Sequence, residues 1–493
     1  MKTLSNNVFD RDILNKNEFE QMIDYLIKSI ELLNKSKKTK EKEKQIDLLT
    51  ISTLFDFGII NEKYSLEDLL KEMDEGILQK LIIQINKVKD KEISNIKELK
   101  KFHFKSRLND VWLNSKENKP GLIDLFSGAG GLSLGLSQAG FKIIFANDID
   151  KSALRTYSFN HPEVDGRNIT LGGIEKLTSK IHNYVNEPID LIVGGPPCQG
   201  FSNANRQRLI DDPRNELYKY YVDIVHKLNP KYFIMENVRG MAKVSDQVIT
   251  DLNSNNIKYD IDYRILNAKD LGIPQNRERL IFIGVREDIS RKESLYVNDI
   301  FERISNKNYD SVTLIEAISD LKNLEASRIK NSTKGDELSG YIIAENHSLD
   351  RSKYVDKINE NNENTFIYNH KARFNNDRDI EIFSRMLPGD KSDSPRIADI
   401  MPYKSRNHIF KDKYYKLLPN KYCKTITSHM KFDCNMYIHP FQSRGLTPRE
   451  AARVQSYPDN YFFLGAYTKT YQQIGNSVPP KMGKIIGENI LVK

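Results

Sequence analysis

The 493-residue chain is 39% hydrophobic and 29% charged, a balance that suits a soluble globular protein with room for two or three domains. Its formal net charge of +8 permits nucleic-acid binding without establishing it, because a solvated lysine-rich surface carries the same signature. Met1 to Asp10 is polar and lacks the apolar core of a secretory signal, and no apolar run reaches the ~18 residues of a membrane span. Three cysteines, Cys198, Cys423 and Cys434, make neither a zinc pattern nor a disulfide framework, so a cytoplasmic protein with no metal is expected.

Residues 1–118 predict a helical N-terminal extension. Met22, Ile23, Leu26, Ile30 and Leu33 recur at helical spacing, and Ser65-Leu66-Glu67-Asp68 opens a second helix with a capping serine and early acids. Lys35 to Lys44 mixes both charges, as a solvated helix face does. At Lys119-Pro120 the texture changes. Leu122 to Phe126 predicts a buried strand followed by the glycine-rich Ser127-Gly128-Ala129-Gly130-Gly131 and a helix. Further strands are predicted at Phe141–Ala146, Ile189–Val193, Lys231–Met235 and Leu280–Val285, with a helix over Glu216–Leu228. Strands alternating with helices imply an α/β, doubly wound and mostly parallel sheet across 119–300. Residues 301–442 break that rhythm and mix aromatic with basic side chains (Arg373, Phe374, Arg378, Tyr403, Lys404, Arg406, Tyr414), which predicts a smaller second domain. Helical patterning returns over 443–493 and ends in Ile485, Ile486 and Ile490.

Gly128, Gly130, Gly131 and Gly135 lie between strand and helix, where a chain without Cβ atoms turns tightly and approaches a ligand. The second strand runs into Ala146-Asn147-Asp148-Ile149-Asp150, about 20 residues on, where an acid suits ribose hydroxyls. One of Asp148 and Asp150 also suits the cap of the next helix. Gly194-Gly195-Pro196-Pro197-Cys198-Gln199-Gly200-Phe201-Ser202 follows another strand. Two prolines fix its backbone and glycines leave space around the thiol, unlike the apolar setting of a structural cysteine. An ordinary thiol titrates near ~8.5, so neighbouring positive charge would raise its reactive fraction. A fourth strand ends in Glu236-Asn237-Val238, placing a carboxyl group at the same sheet edge for acid or electrostatic work. In Gln275-Asn276-Arg277-Glu278-Arg279, residues 275, 277 and 279 share one face if the segment is extended.

Together these segments resemble the DNA cytosine-5 methyltransferase family over roughly 120–290 and 421–490. The carriers are Asp124 to Gly131, Pro197-Cys198-Gln199, Glu236-Asn237-Val238, Gln275-x-Arg277-x-Arg279, Arg444 to Gln455, and Gly475-Asn476-Ser477-Val478. The resemblance implies a Rossmann-like S-adenosylmethionine methyltransferase domain with a target-recognition domain at 301–442, and duplex DNA bound between them with the target cytosine flipped out. It implies that Cys198 is the nucleophile toward carbon 6, that Glu236 contacts the ring, and that Arg279 positions both, with Arg277 beside it. On the cofactor side it implies Phe126, Gly128, Gly130, Asp148, Pro197, Asn476 and Val478. The family's acid in a Gly-Asp-Ile segment has its nearest match in Arg167-Asn168-Ile169, leaving the Asn168 carbonyl to meet the adenine amino group. Gln199, Ser202, Gln275 and Thr425, the last paired with Ile426, are the implied DNA contacts. A monomeric bacterial enzyme is expected, working on double-stranded DNA beside a cognate restriction endonuclease and away from membranes.

The same fold also serves RNA cytosine-5 methylation, but Gln199-Gly200 after Pro197-Cys198 favours DNA. Amino-group methylation needs no cysteine and uses an Asp/Asn-Pro-Pro-aromatic segment, which is absent from the sequence. A dehydrogenase accounts for the glycines alone. A non-catalytic DNA-binding regulator leaves Cys198, Glu236, Arg277 and Arg279 without a purpose.

Overall fold

The computed structural model describes residues 119–161, 163–164, 168–185, 188–197, 217–328, 343–344, 351–360, 366–402 and 413–492. The helices expected in 1–118, together with Cys198, Gln199 and Ser202, lie outside the described residues.

Chain order begins β1 (Gly121–Leu125), α1 (Gly131–Ala139), β2 (Lys142–Asp148), α2 (Lys151–Asn160), β3 (Ile169–Leu171), α3 (Ile174–Thr178) and β4 (Leu191–Gly194). It continues through α4 (Leu217–Leu228), β5 (Tyr232–Asn237), α5 (Ser245–Leu252), β6 (Tyr259–Asn267), β7 (Gln275–Asn276), β8 (Glu278–Arg286), α6 (Glu287–Glu293) and α7 (Val297–Asn306). Seven strands form one sheet in the order β3-β2-β1-β4-β5-β8-β6. The first five pair parallel, and β8 and β6 close the edge antiparallel.

Side chains alternate between the two faces of this sheet, so each strand feeds two cores. Leu122, Ile143, Val193, Ile234 and Ile283 join one cluster with Leu132, Leu136, Ile300, Ile304, Ile486 and Ile490. Ile123, Leu125, Phe145, Ile192, Phe233 and Phe282 join the other with Tyr221, Ile224, Val225, Val248 and Leu252. Helices therefore cover both faces, which is the doubly wound arrangement expected from the alternating pattern. Helix α7 spans the boundary expected at 300/301: it packs on the sheet core through Val297, Ile300, Phe301 and Ile304 rather than opening a second domain.

Beyond it come α8 (Leu314–Ile318), β9 (Ile343–Ala344), α9 (Lys353–Ile358), β10 (Phe366–Ile367), α10 (Asp377–Arg385), β11 (Cys423–Lys424), α11 (Pro448–Val454), α12 (Tyr467–Asn476) and α13 (Pro480–Leu491). One core there joins Leu314, Ile318, Val355, Leu417, Ile426 and Leu446 to Ala451, Val454, Tyr471 and Ile474. A small satellite cluster gathers Ile382, Phe383, Met386, Ile397, Tyr414 and Ile438. Helix α11 starts with Thr447 and Glu450 capping each other's backbone amides and Pro448 in the first turn. Helix α13 returns to the sheet and buries Ile485, Ile486 and Ile490, the residues whose spacing predicts it.

Candidate active site

The order of strands reverses between β1 and β4, and loops leaving their carboxyl ends diverge there. A cavity of about 720 Å³ opens at that edge, lined by the ends of β1, β2, β4 and β5 and by residues 427–429 and 472–478.

One end of the cavity is a carboxylate held by a guanidinium. Arg279 Nε lies 2.6 Å from Glu236 Oε1, and both side chains are nearly buried, 14% and 13% exposed. Arg279 also donates to the Glu278 carbonyl at 2.7 Å, which fixes its fork. Next to Glu236, Asn237 Nδ2 donates to the Pro196 carbonyl at 2.9 Å and ties the end of β5 to the proline loop. Pro196 and Pro197 line the cavity.

The other end is formed by β1–β3. Phe126 takes a left-handed backbone (φ 56°), an unusual conformation for a bulky residue, and lines the cavity half-buried. Asp148 Oδ2 accepts from the Gly128 amide at 2.8 Å and Oδ1 from the Asp150 amide at 2.7 Å. Burial raises the Asp148 carboxyl above its ordinary range despite these two amides. The capping function falls to Asp150, whose Oδ1 accepts from Ser152 N and Ala153 N at the start of α2, while Lys469 lies 3.1 Å from Oδ2. Asn476 and Val478 line the opposite wall.

Several expected residues take other places. Gln275 is fully buried, with Nε2 donating to Gln455 at 2.9 Å and Oε1 accepting from Ile426 N at 2.7 Å. It joins two parts of the chain and presents nothing to DNA, which corrects the expected contact. Arg277 is likewise fully buried and donates to the carbonyls of Ile426 (2.7 Å), Gly475 (3.0 Å) and Ser477 (2.7 Å). These three bonds make it a brace between cavity walls, and it also contributes to the cavity lining. Thr425 Oγ1 donates to the Asn276 carbonyl at 2.5 Å and lies outside the cavity lining. Gly130 turns at φ 86°, and a Cβ there would press on Tyr157, His161 and Tyr461, so it serves packing behind the loop rather than the cavity wall.

Asn168 is also displaced from its expected role. The cavity wall at the end of β3 is Gly172-Gly173-Ile174-Glu175, so this segment and not Arg167-Asn168-Ile169 stands where the acid-bearing segment was sought. A Cβ on Gly173 would collide with the Glu175 carboxylate, whose oxygens fold back over that glycine. Glu175 is thus a cavity acid that the sequence reading missed; the Gly-x-Ile spacing at 172–174 was the available signal. Asp124 is a second. It is buried at the cavity floor beneath Ser133 Oγ, which donates to it and accepts from Tyr157 at 2.9 Å, and burial pushes its carboxyl up to about 7.

Comparison with known proteins agrees with this geometry. Residues 121–492 match the family described as C-5 cytosine-specific DNA methylase. The type II methyltransferase M.DdeI of Desulfomicrobium norvegicum is 34% identical over 391 residues, spanning 75% of this chain and 88% of that protein. M1.HphI of Haemophilus parahaemolyticus, also a type II methyltransferase, is 32% identical over 75% of this chain and 86% of its own length. A solved prophage-encoded protein of E. coli, described as a DNA modification methyltransferase, superposes with a TM-score of 0.59 at 28% identity, covering 75% of this chain and 98% of that one. With the family matched over three-quarters of its length and the carboxylate–guanidinium pair standing at the same sheet edge as the proline loop, this chain belongs to the C-5 cytosine-specific DNA methylases and is a DNA (cytosine-5)-methyltransferase.

Proposed function

We propose that the cavity binds S-adenosylmethionine along the β1–β3 end and a flipped cytosine at the Glu236–Arg279 end, with Cys198 as covalent nucleophile. The observation that carries this reading is the Arg279–Glu236 pair at 2.6 Å facing a cavity that also reaches the glycine loop. The cofactor fits the residues present. Among the described residues Ser127 Oγ is buried with no hydrogen-bond partner, and a Cβ on Gly128 would meet open space, so the loop offers a hydroxyl and room for close approach. Asp148 supplies an acceptor for ribose hydroxyls. Ile149, 77% exposed on the lining, supplies an apolar face for the adenine ring, and Glu175 an acceptor for its amino edge. Asn476 and Val478 close the far side.

The reaction follows from these positions. Cytosine carbon 5 is a weak nucleophile while the ring is aromatic. Addition of the Cys198 thiolate to carbon 6 forms an S–C bond and moves electron density to carbon 5 and N3. Glu236 holds a proton at N3 and offsets that charge, and Arg279 keeps its carboxyl group turned toward the ring. Bound S-adenosylmethionine supplies an electrophilic methyl group at a sulfonium. Loss of the carbon-5 proton and departure of the Cys198 sulfur restore the aromatic ring. Flipping is required because carbon 6 is out of reach inside a stacked duplex. The likeness to type II methyltransferases supports a biological role in which this chain methylates one short sequence and so protects it from a cognate restriction enzyme.

The test is transfer of a labelled methyl group to unmethylated duplex DNA, with modified positions mapped by bisulfite sequencing. Protected cytosines in a single recurring sequence, lost in Cys198→Ser while DNA binding persists, are the expected result. Methylation at an exocyclic amino group, or full transfer by Cys198→Ser, overturns the covalent mechanism.

A further inference from the structure

Phe432 is 68% exposed, an unusual state for a phenylalanine held in a fixed turn. The turn is the 3-10 segment Ser428–Lys431, and Arg373 braces it from behind. Its Nη1 donates to the Met430 carbonyl at 2.7 Å, and Nη2 donates to the Lys431 carbonyl at 3.3 Å and to the Phe432 carbonyl. Three successive carbonyls on one guanidinium leave the ring little freedom at its base. Around it stand two basic side chains: Lys431 Nζ lies 4.9 Å from the ring centroid, and the His429 ring centroid 6.2 Å away.

The position matters as much as the chemistry. Thr427, Ser428 and His429 line the reaction cavity together with Glu236 and Arg279. Phe432 lines a separate groove of about 240 Å³ with Asn375, Asn376 and Asp433. The segment 427–432 therefore contributes to both, its first three residues to the reaction cavity and Phe432 to a groove that Asp379 and Asp433 also line. An aromatic surface beside a lysine cation and an imidazole matches stacked bases between phosphates, and apolar wedges inserted at base steps are a recurrent way to offset unstacking.

Building on the base-flipping reading above, we propose that Phe432 is a wedge that enters the base stack beside the target cytosine and holds the flipped state, with Lys431 and His429 meeting the flanking phosphates. The apolar face fits a stack opened by loss of one base; a fully paired duplex offers it no such slot.

The experiment uses the full chain, S-adenosylhomocysteine and a duplex carrying 2-aminopurine at the mapped target position. Its fluorescence rises when that base leaves the stack. Wild type is expected to give a large enhancement. Phe432→Ala should lose most of it, about 10-fold at saturating protein, while keeping the wild-type melting temperature and S-adenosylhomocysteine affinity. Phe432→Trp should restore it, and Lys431→Ala should weaken DNA binding and reduce the salt slope by about one ion. Full enhancement in Phe432→Ala, with or without weaker binding, overturns the wedge and leaves the ring as an ordinary groove contact or a protein-docking residue. No enhancement in wild type that binds the 2-aminopurine duplex, and that methylates the parent duplex with cytosine at the same position, overturns the flipping reading itself, an outcome distinct from failure of the variant alone.

Discussion

The two halves of the cavity are built by opposite means. The sheet edge rests on apolar strands, and its polar groups are few: Asp148 on two backbone amides, Glu236 on Arg279, Asp124 under Ser133. The wall contributed by 472–478 is backed by a region, 444–461, that rests on buried charge. Arg277, Arg444, Arg449 and Arg453 are among the largest fully buried side chains of the protein. Arg444 pairs bidentately with Glu450 at 2.8 and 2.7 Å, and this charge, with the hydrogen bonds, holds the Glu450 carboxyl well below the usual range despite its burial. Arg453 spans Asp459, at 2.7 and 2.8 Å, and Asp320. Arg449 donates to the Tyr368 carbonyl at 2.6 Å and the Pro458 carbonyl at 2.7 Å, and also to that of Tyr461. Hydrophobic burial is tolerant of direction, whereas a buried ion pair demands one geometry and penalises any other. The first half sets the layers; the second fixes where the loops at their ends stop.

This contrast can be broken at either side. The largest expected effect on stability is in the charged region. Arg453→Met leaves Asp459 and Asp320 buried without their cation and should cost about 3–5 kcal/mol in denaturant unfolding. Adding Asp459→Asn and Asp320→Asn should recover much of that loss, and a single variant as stable as wild type would remove the ion pairs from the account. Glu236→Gln, in the apolar half, should behave inversely. Methyl transfer should fall on the order of 10²–10³-fold while the melting temperature stays within about 1 °C.

Asp124 sharpens the comparison through pH. Its folded-state value of about 7 stands above the unfolded value of 3.8, so the native state prefers the proton and wild-type stability declines as pH rises from about 4 to about 7, with no further decline above. Asp124→Asn should show little advantage at pH 4 and a gain on the order of 4 kcal/mol at pH 8, about three pKa units at ~1.4 kcal/mol each. Melting curves across that range check it, and a pH-independent difference would mean that the carboxyl is not held neutral. The smallest effect belongs to Glu175→Gln, for which calorimetry should find S-adenosylhomocysteine bound about 3–10-fold more weakly, the worth of one hydrogen bond. Unchanged affinity would leave Glu175 without a cofactor role.

Much of the sheet was legible because strands buried on both faces are nearly continuous apolar runs, as in Leu122 to Leu125 and Leu280 to Val285. The two strands that the pattern missed are the edges. β3 has three residues, and β6 carries Asp260, Asp262 and Arg264 on a partly solvated strand, so neither shows that signature. At the site, Glu236 and Asp148 were legible because each sits at the carboxyl end of an apolar strand. The Gln275/Arg277/Arg279 alternation was legible as a shared face but not as an inward one. All three side chains are polar, and Gln275 and Arg277 are satisfied inside by partners more than a hundred residues away, Ile426, Gln455, Gly475 and Ser477. Glu175 escaped for a related reason: its carboxylate reaches the cavity across a glycine two residues earlier, a contact that exists only in three dimensions.

By itself, the sequence determined the class of fold, the edge of the sheet where chemistry happens, and the reaction family, because periodicity, glycine placement and short motifs are local properties of the chain. Which polar residues face the cavity and which are consumed as internal braces was decided only by the tertiary structure. A buried guanidinium is tolerated only where distant carbonyls or carboxylates converge on it, and that convergence is a property of the packed molecule.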